Sequence, residues 1–139
     1  MRFARSVLLF AAAASFLAAG CGGPSFCDVT GVVTRGGQPV KNLQVMFLPE
    51  KGRPSSGISD DQGRYQLQYT DQQKGLMPGK YKVVVEYVPP TMDEQVALQQ
   101  GTGAYPPGIK EILAKYGNRN QPALQLDVEK GKQIDLQLD

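Results

Sequence analysis

Histidine is absent from this chain of 139 residues, and that absence limits what its other reactive side chains can do. The serines at Ser25, Ser55, Ser56 and Ser59 have no imidazole to take up a proton, and no Gly-x-Ser-x-Gly elbow presents them. Nucleophilic catalysis is therefore not expected. The carboxylates of Glu50, Asp60, Asp61, Glu86 and Glu94 show no spacing that would pair them, so solvated surface positions are their default. Asp60-Asp61-Gln62-Gly63 is the one grouping that resembles a metal site, because calcium favours clustered oxygens and a turn can present them. The spaced ladder of an EF-hand is missing, and aspartates before glycine are common turn formers because their side chains bond the local backbone. The expectation is a structural turn with no metal and no cofactor, and Asp60 and Asp61 are the only weak metal candidates. The thiol of Cys27 lies beside Asp28, whose charge opposes thiolate formation, so Cys27 reads as a small buried hydrophobe. There are six tyrosines and no tryptophan. The alternating tyrosines suit core or cross-strand packing. Tyr105 differs, since it lies in the glycine- and proline-rich stretch 101–108, and it is the candidate binding edge.

The other cysteine, Cys21, belongs to a different pattern. Arg2 and Arg5 form a short positive segment, and Val7 to Ala19 is apolar apart from Ser15. A spanning helix needs ~20 apolar residues, and this core is shorter. Small residues follow at Ala18, Ala19 and Gly20, as cleavage requires. The run Leu17-Ala18-Ala19-Gly20-Cys21 resembles the signal peptide of a bacterial lipoprotein. That resemblance implies removal of residues 1–20 and acylation of Cys21, with residues 21–27 as a lipidated N-terminus and short tether. One departure is Ala18, where such signals usually carry leucine. Two other readings stand beside this one. An uncleaved membrane anchor or a buried helix would keep the segment. Cleavage by the ordinary signal peptidase would release a secreted chain, in which a Cys21–Cys27 disulfide could form.

Cleavage changes the charge argument. The whole chain has 15 Lys+Arg against 13 Asp+Glu. Arg2 and Arg5 leave with residues 1–20, so the remaining 119 residues carry 13 of each sign. No basic excess is left to neutralise phosphates, and nucleic acid is not an expected partner. A chain of this length suits one domain, 28–139.

Strand and turn signals fill that region. Residues 29–34 alternate as a first strand, with Gly31 weakening it. Residues 35–39 form a tight turn with two glycines and a proline. Leu43, Val45 and Phe47 face one way until Pro49 closes the second strand. Residues 58–69 read as a hairpin turning at 59–63. Tyr81, Val83, Val85 and Tyr87 alternate in the strongest strand, rich in β-branched and aromatic residues. Thr91 followed by Glu94 predicts a capped helix over 92–100. Ile109, Ile112, Leu113 and Tyr116 predict two helical turns that pack on the sheet. Residues 124–128 and 134–138 alternate again around a turn at 129–131. About seven short strands with regular turns indicate an all-β sandwich, with one or two short helical turns between residues 91 and 118.

The order of motifs is also similar to a known family. Val29-Thr30-Gly31-Val32-Val33-Thr34, Gly37-Gln38-Pro39-Val40 and Val45-Met46-Phe47-Leu48-Pro49 resemble the opening of a carboxypeptidase-regulatory-like, transthyretin-like domain. Ser59-Asp60-Asp61-Gln62-Gly63-Arg64-Tyr65-Gln66-Leu67 and Pro78-Gly79-Lys80-Tyr81-Lys82-Val83-Val84-Val85 resemble its later hairpin and strand. Ile112-Leu113-Ala114-Lys115-Tyr116 resembles a helical turn of small bacterial lipoproteins built on this domain. The resemblance implies a seven-stranded, prealbumin-like Greek-key sandwich, usually non-catalytic. Hydroxyisourate hydrolases of this type use histidines, and related intradiol dioxygenases need histidine iron ligands, so neither chemistry transfers. An isopeptide bond is not expected either, because the last two strands hold no asparagine.

These readings converge on a non-enzymatic lipoprotein of the cell envelope, periplasmic or on the outer face. It would be anchored to membrane lipid through acylated Cys21 and act as a structural or protein-interaction module. The alternative is a carbohydrate- or peptide-binding module of the envelope, with a glycan or envelope protein as partner.

Overall fold

The computed structural model describes residues 25–139. The signal peptide and the lipidation expected at Cys21 lie outside those residues. Alternation organises the first strand, β1 (Val29–Arg35), which buries Val29, Gly31 and Val33 on one face. The turn at Gly36 and Gly37, both with positive φ, returns the chain to β2 (Gln38–Pro39). β3 (Leu43–Pro49) carries Leu43, Val45 and Phe47 inward. It is followed by β4 (Ser55–Ile58), β5 (Arg64–Gln66) and the long β6 (Gly79–Tyr87). Two helices come next, α1 (Met92–Gln99) and α2 (Ile109–Tyr116). The strands β7 (Leu124–Val128), β8 (Lys132–Gln133) and β9 (Leu136–Leu138) complete the chain.

These elements form an all-β sandwich with two short helices. One sheet has the order β4-β3-β6-β7, antiparallel throughout. The other is built around β1, which pairs antiparallel with β5 and β2 and parallel with β8 and β9. Phe47, Leu43, Leu67, Leu76, Ile112 and Leu138 are the largest side chains fully buried in the core. α2 contributes Ile109, Ile112 and Tyr116 to that core. α1 buries nothing and is held by its Thr91 cap, whose hydroxyl accepts from the Glu94 N–H at 3.3 Å.

Three expectations are corrected. Among the described residues the strands number nine, against about seven expected. β2 is a two-residue pairing, and the stretch from 132 to 138 divides because the Asp135 carboxylate, not a backbone carbonyl, accepts the Val32 N–H at 3.0 Å. Setting aside the two-residue strands β2 and β8 leaves seven. Residues 58–69 are not a simple hairpin, since β4 pairs with β3 while β5 pairs with β1 in the opposite sheet. The turn between them is a corner of the sandwich, and the sheets touch again where Ser56 and Gln68 exchange backbone hydrogen bonds of 3.0 and 2.8 Å. Gly31, read as a weak point of β1, instead lets two segments meet. A Cβ there would overlap the Ile134 carbonyl oxygen and crowd the Tyr65 ring.

Candidate functional site

Tyr105 is carried by the loop between the two helices. Pro106 and Pro107 restrict its backbone, since proline fixes φ. Gly108 then turns into α2 with φ 82°. An Arg35 guanidinium nitrogen donates to the Gly108 carbonyl at 2.7 Å and lies 3.8 Å from the Glu111 carboxylate. These contacts tie the loop to the end of β1. Tyr105 remains 37% exposed and meets Tyr87 edge-on, with ring centroids 5.8 Å apart and planes at 68°. Tyr87 in turn lines a groove of about 340 Å³ walled by Pro39, Val40, Pro106, Pro107 and Ile109. The groove is mainly apolar with a basic rim. Its cations are already engaged, Arg35 as above and Lys41 with Asp61 at 3.4 Å. It can take up an apolar or flat side chain, and it presents no nucleophile.

The Asp60 carboxylate is committed to its own turn. One oxygen accepts from the backbone N–H groups of Gln62 and Arg64, both at 2.9 Å, and the other from the Arg64 side chain at 3.0 Å. The Arg64 backbone N–H contributes most to holding the carboxyl below its ordinary value. Asp61 points to Lys41 instead, so the two aspartates do not converge. Among the described residues no group of three or more His, Cys, Asp or Glu side chains gathers as a cation would need. The serines also serve structure. Ser59 is buried and its hydroxyl accepts the Leu43 N–H at 3.0 Å, while that of Ser56 accepts from Gln44 at 3.3 Å. Cys27 is buried, with its sulfur 3.6 Å from the Glu129 carbonyl oxygen.

A second groove, of about 500 Å³, was not visible in the sequence. Gln44, Ser56, Gln66, Gln68, Tyr69 and Arg53 line it, drawn from three strands and two loops. Its floor at Gly57 is open because no side chain fits there: a Cβ would overlap the Gln66 carbonyl oxygen. Each glutamine stood at an outward position of an alternating strand, which is the ordinary place for a solvated amide. Their convergence depends on the corner between β4 and β5, which local patterning does not encode.

The chain matches no protein-family model and no curated protein. Among solved structures it is similar to a DUF3823 family protein from Parabacteroides merdae, at 16% identity and a TM-score of 0.43. That alignment covers 81% of this chain and 45% of the other, so the chain spans less than half the length of that structure.

Proposed function

We propose that this protein is a non-enzymatic envelope lipoprotein of the transthyretin-like type, anchored through acylated Cys21 and presenting the Tyr87–Tyr105 groove to a protein partner. The observation that carries this reading is the polarity of the sandwich. β1 runs from Val29, next to the entering chain, to Arg35, beside the groove. Its seven residues span about 20 Å at the usual strand rise. An anchor before residue 25 would therefore hold one end of the sandwich and leave the groove at the other. The transthyretin-like assignment is supported by the motif order and by seven strands longer than two residues, divided four and three between facing sheets. The non-catalytic assignment is supported by the absent histidine and by the structural use of Ser56, Ser59 and Asp60.

Metabolic labelling with a palmitate analogue tests the anchor. Label should enter the wild-type chain and disappear in Cys21→Ser; label that survives the substitution refutes it. A photo-crosslinking residue at Tyr105 tests the groove. It should capture a discrete envelope protein that the same probe at Asp71, near the entering chain, does not.

A glycan-binding reading is favoured by one specific feature, the glutamine-lined groove with Tyr69 at its side. Amide groups and an aromatic ring are suited to sugar hydroxyls and to the apolar faces of sugar rings. Binding on a glycan array that Gln68→Ala weakens by about tenfold would select this reading.

A further inference from the structure

The end of the sandwich nearest the entering chain differs electrostatically from the end that holds the Tyr105 groove. The five ion pairs among the described residues involve Arg35, Lys41, Arg64, Lys115 and Arg119. None involves a cation from the entering end. There, Lys51, Arg53 and Lys80 surround a hollow of about 390 Å³ that also contains Tyr69, Met77 and Tyr81. All three cations are exposed. Glu50 is the one carboxylate lining the hollow. Further out, Asp127 stands opposite Lys80 in the β6–β7 ladder, and Asp28, Asp71 and Glu129 lie among Lys74, Lys130 and Lys132 at the same end.

The hollow adjoins the point where the chain enters. The Phe26 ring lies 5.0 Å from the ring of Tyr69, and the Arg53 guanidinium lies 6.0 Å from that ring on another side. Cys21 precedes Cys27 by six residue steps, at most ~20 Å of extended chain. An acyl group at Cys21 would therefore keep this end, and not the groove end, within reach of lipid headgroups.

We propose that the hollow between Lys51, Arg53 and Lys80 seats the phosphate of an anionic phospholipid headgroup, and that this contact stands the sandwich upright on the bilayer. The inference rests on the anchored reading of Cys21. Cations without carboxylate partners keep their attraction for an anionic surface, and long basic side chains reach further than the carboxylates around them. Met77 and the tyrosine rings supply apolar surface at headgroup depth, where tyrosine is favoured.

The test uses the full chain as purified from membranes. Intact mass comes first: a chain without acyl groups overturns the anchored reading and this inference with it. The acylated chain is then placed in vesicles of phosphatidylcholine, alone or with about one quarter phosphatidylglycerol, and its lysines are acetylated. Lys51 and Lys80 should be protected several-fold in the anionic vesicles relative to the neutral ones, while Lys110 and Lys115 stay unchanged. Protection should vanish at about 0.5 M salt. Equal labelling in both vesicle types overturns the headgroup contact and leaves anchoring intact. Protection in neutral vesicles that inorganic phosphate alone produces assigns the hollow to free phosphate and overturns the bilayer as its source. Lys130 and Lys132, at the same end, should share the protection by anionic vesicles, and the exposed substitutions Lys51→Gln, Arg53→Gln and Lys80→Gln together should remove it; protection that persists also overturns the proposal.

Discussion

Tyr65 links the middle of the sequence to its last strands through a single hydroxyl. Its ring is buried, and its hydroxyl donates to the Ile134 carbonyl at 2.6 Å. Burial, and then the nearby Asp135 charge, push its ionisation far above the ordinary tyrosine value of 10.0. The neutral phenol is therefore the form the folded state prefers. The stability it contributes is complete below pH 10.0 and is lost as pH rises beyond that value, because the unfolded chain gives up its proton first. Tyr65→Phe should cost about 1–3 kcal/mol at neutral pH by leaving a buried carbonyl unpaired, as urea unfolding would measure. The same variant should lose less stability than the wild type between pH 10 and 12, since one contributor to the alkaline loss is gone. At this scale the sequence was informative about type and less so about partner. Alternation indicated that Tyr65 would pack. Nothing local could indicate that it would bond a carbonyl 69 positions away.

The elements divide by what secures them. α1 is held by its cap and exposes Met92 and Val96, whereas α2 is held by Ile109, Ile112 and Tyr116 in the core. Ile112→Ala should therefore cost about 2–5 kcal/mol in urea unfolding, while Val96→Ala should stay within ~0.5 kcal/mol. Both helices were legible, one from Thr91 and Glu94 and the other from its apolar spacing, because a helix is specified by residues within a few positions of one another. Strand positions were legible for the same reason. Strand partners were not. The segment 58–69 has the pattern of a hairpin, and only the pairing of β4 with β3 and of β5 with β1 reveals a corner. Gly31 carries a similar lesson, because its role depends on Ile134. Gly31→Ala should destabilise by about 3 kcal/mol or more through overlap with that carbonyl. Gly36→Ala, with φ 57° but open space around it, should cost only about 1 kcal/mol. Thermal melts of the two variants would separate them.

The whole molecule has features that no window of sequence contains. The groove lined by Tyr87, with Tyr105 packed beside it, combines the turn after β1, the end of β6 and the loop before α2. The basic hollow combines the loop after β3 with the start of β6. Tyr105 could be singled out because its loop was unusual, but its neighbours could not. The glutamine groove is not legible in the sequence, because each residue that lines it is an ordinary solvated position on its own. The parallel pairings of β8 and β9 with β1 join segments about 100 positions apart. Ile134, Leu136 and Leu138 are all buried there. Deleting residues 134–139 should abolish the cooperative thermal transition, because losing three core side chains at about 2–5 kcal/mol each approaches or exceeds the ~5–15 kcal/mol that holds a domain together. The same parallel pairing has a consequence for how the protein is made. During synthesis β1 emerges early and finds β5 soon afterwards, but its other edge stays open until residues 136–138 have left the ribosome. The sheet around β1 therefore cannot close before residues 136–138 are made, and until then the buried face of β1 has only part of its cover.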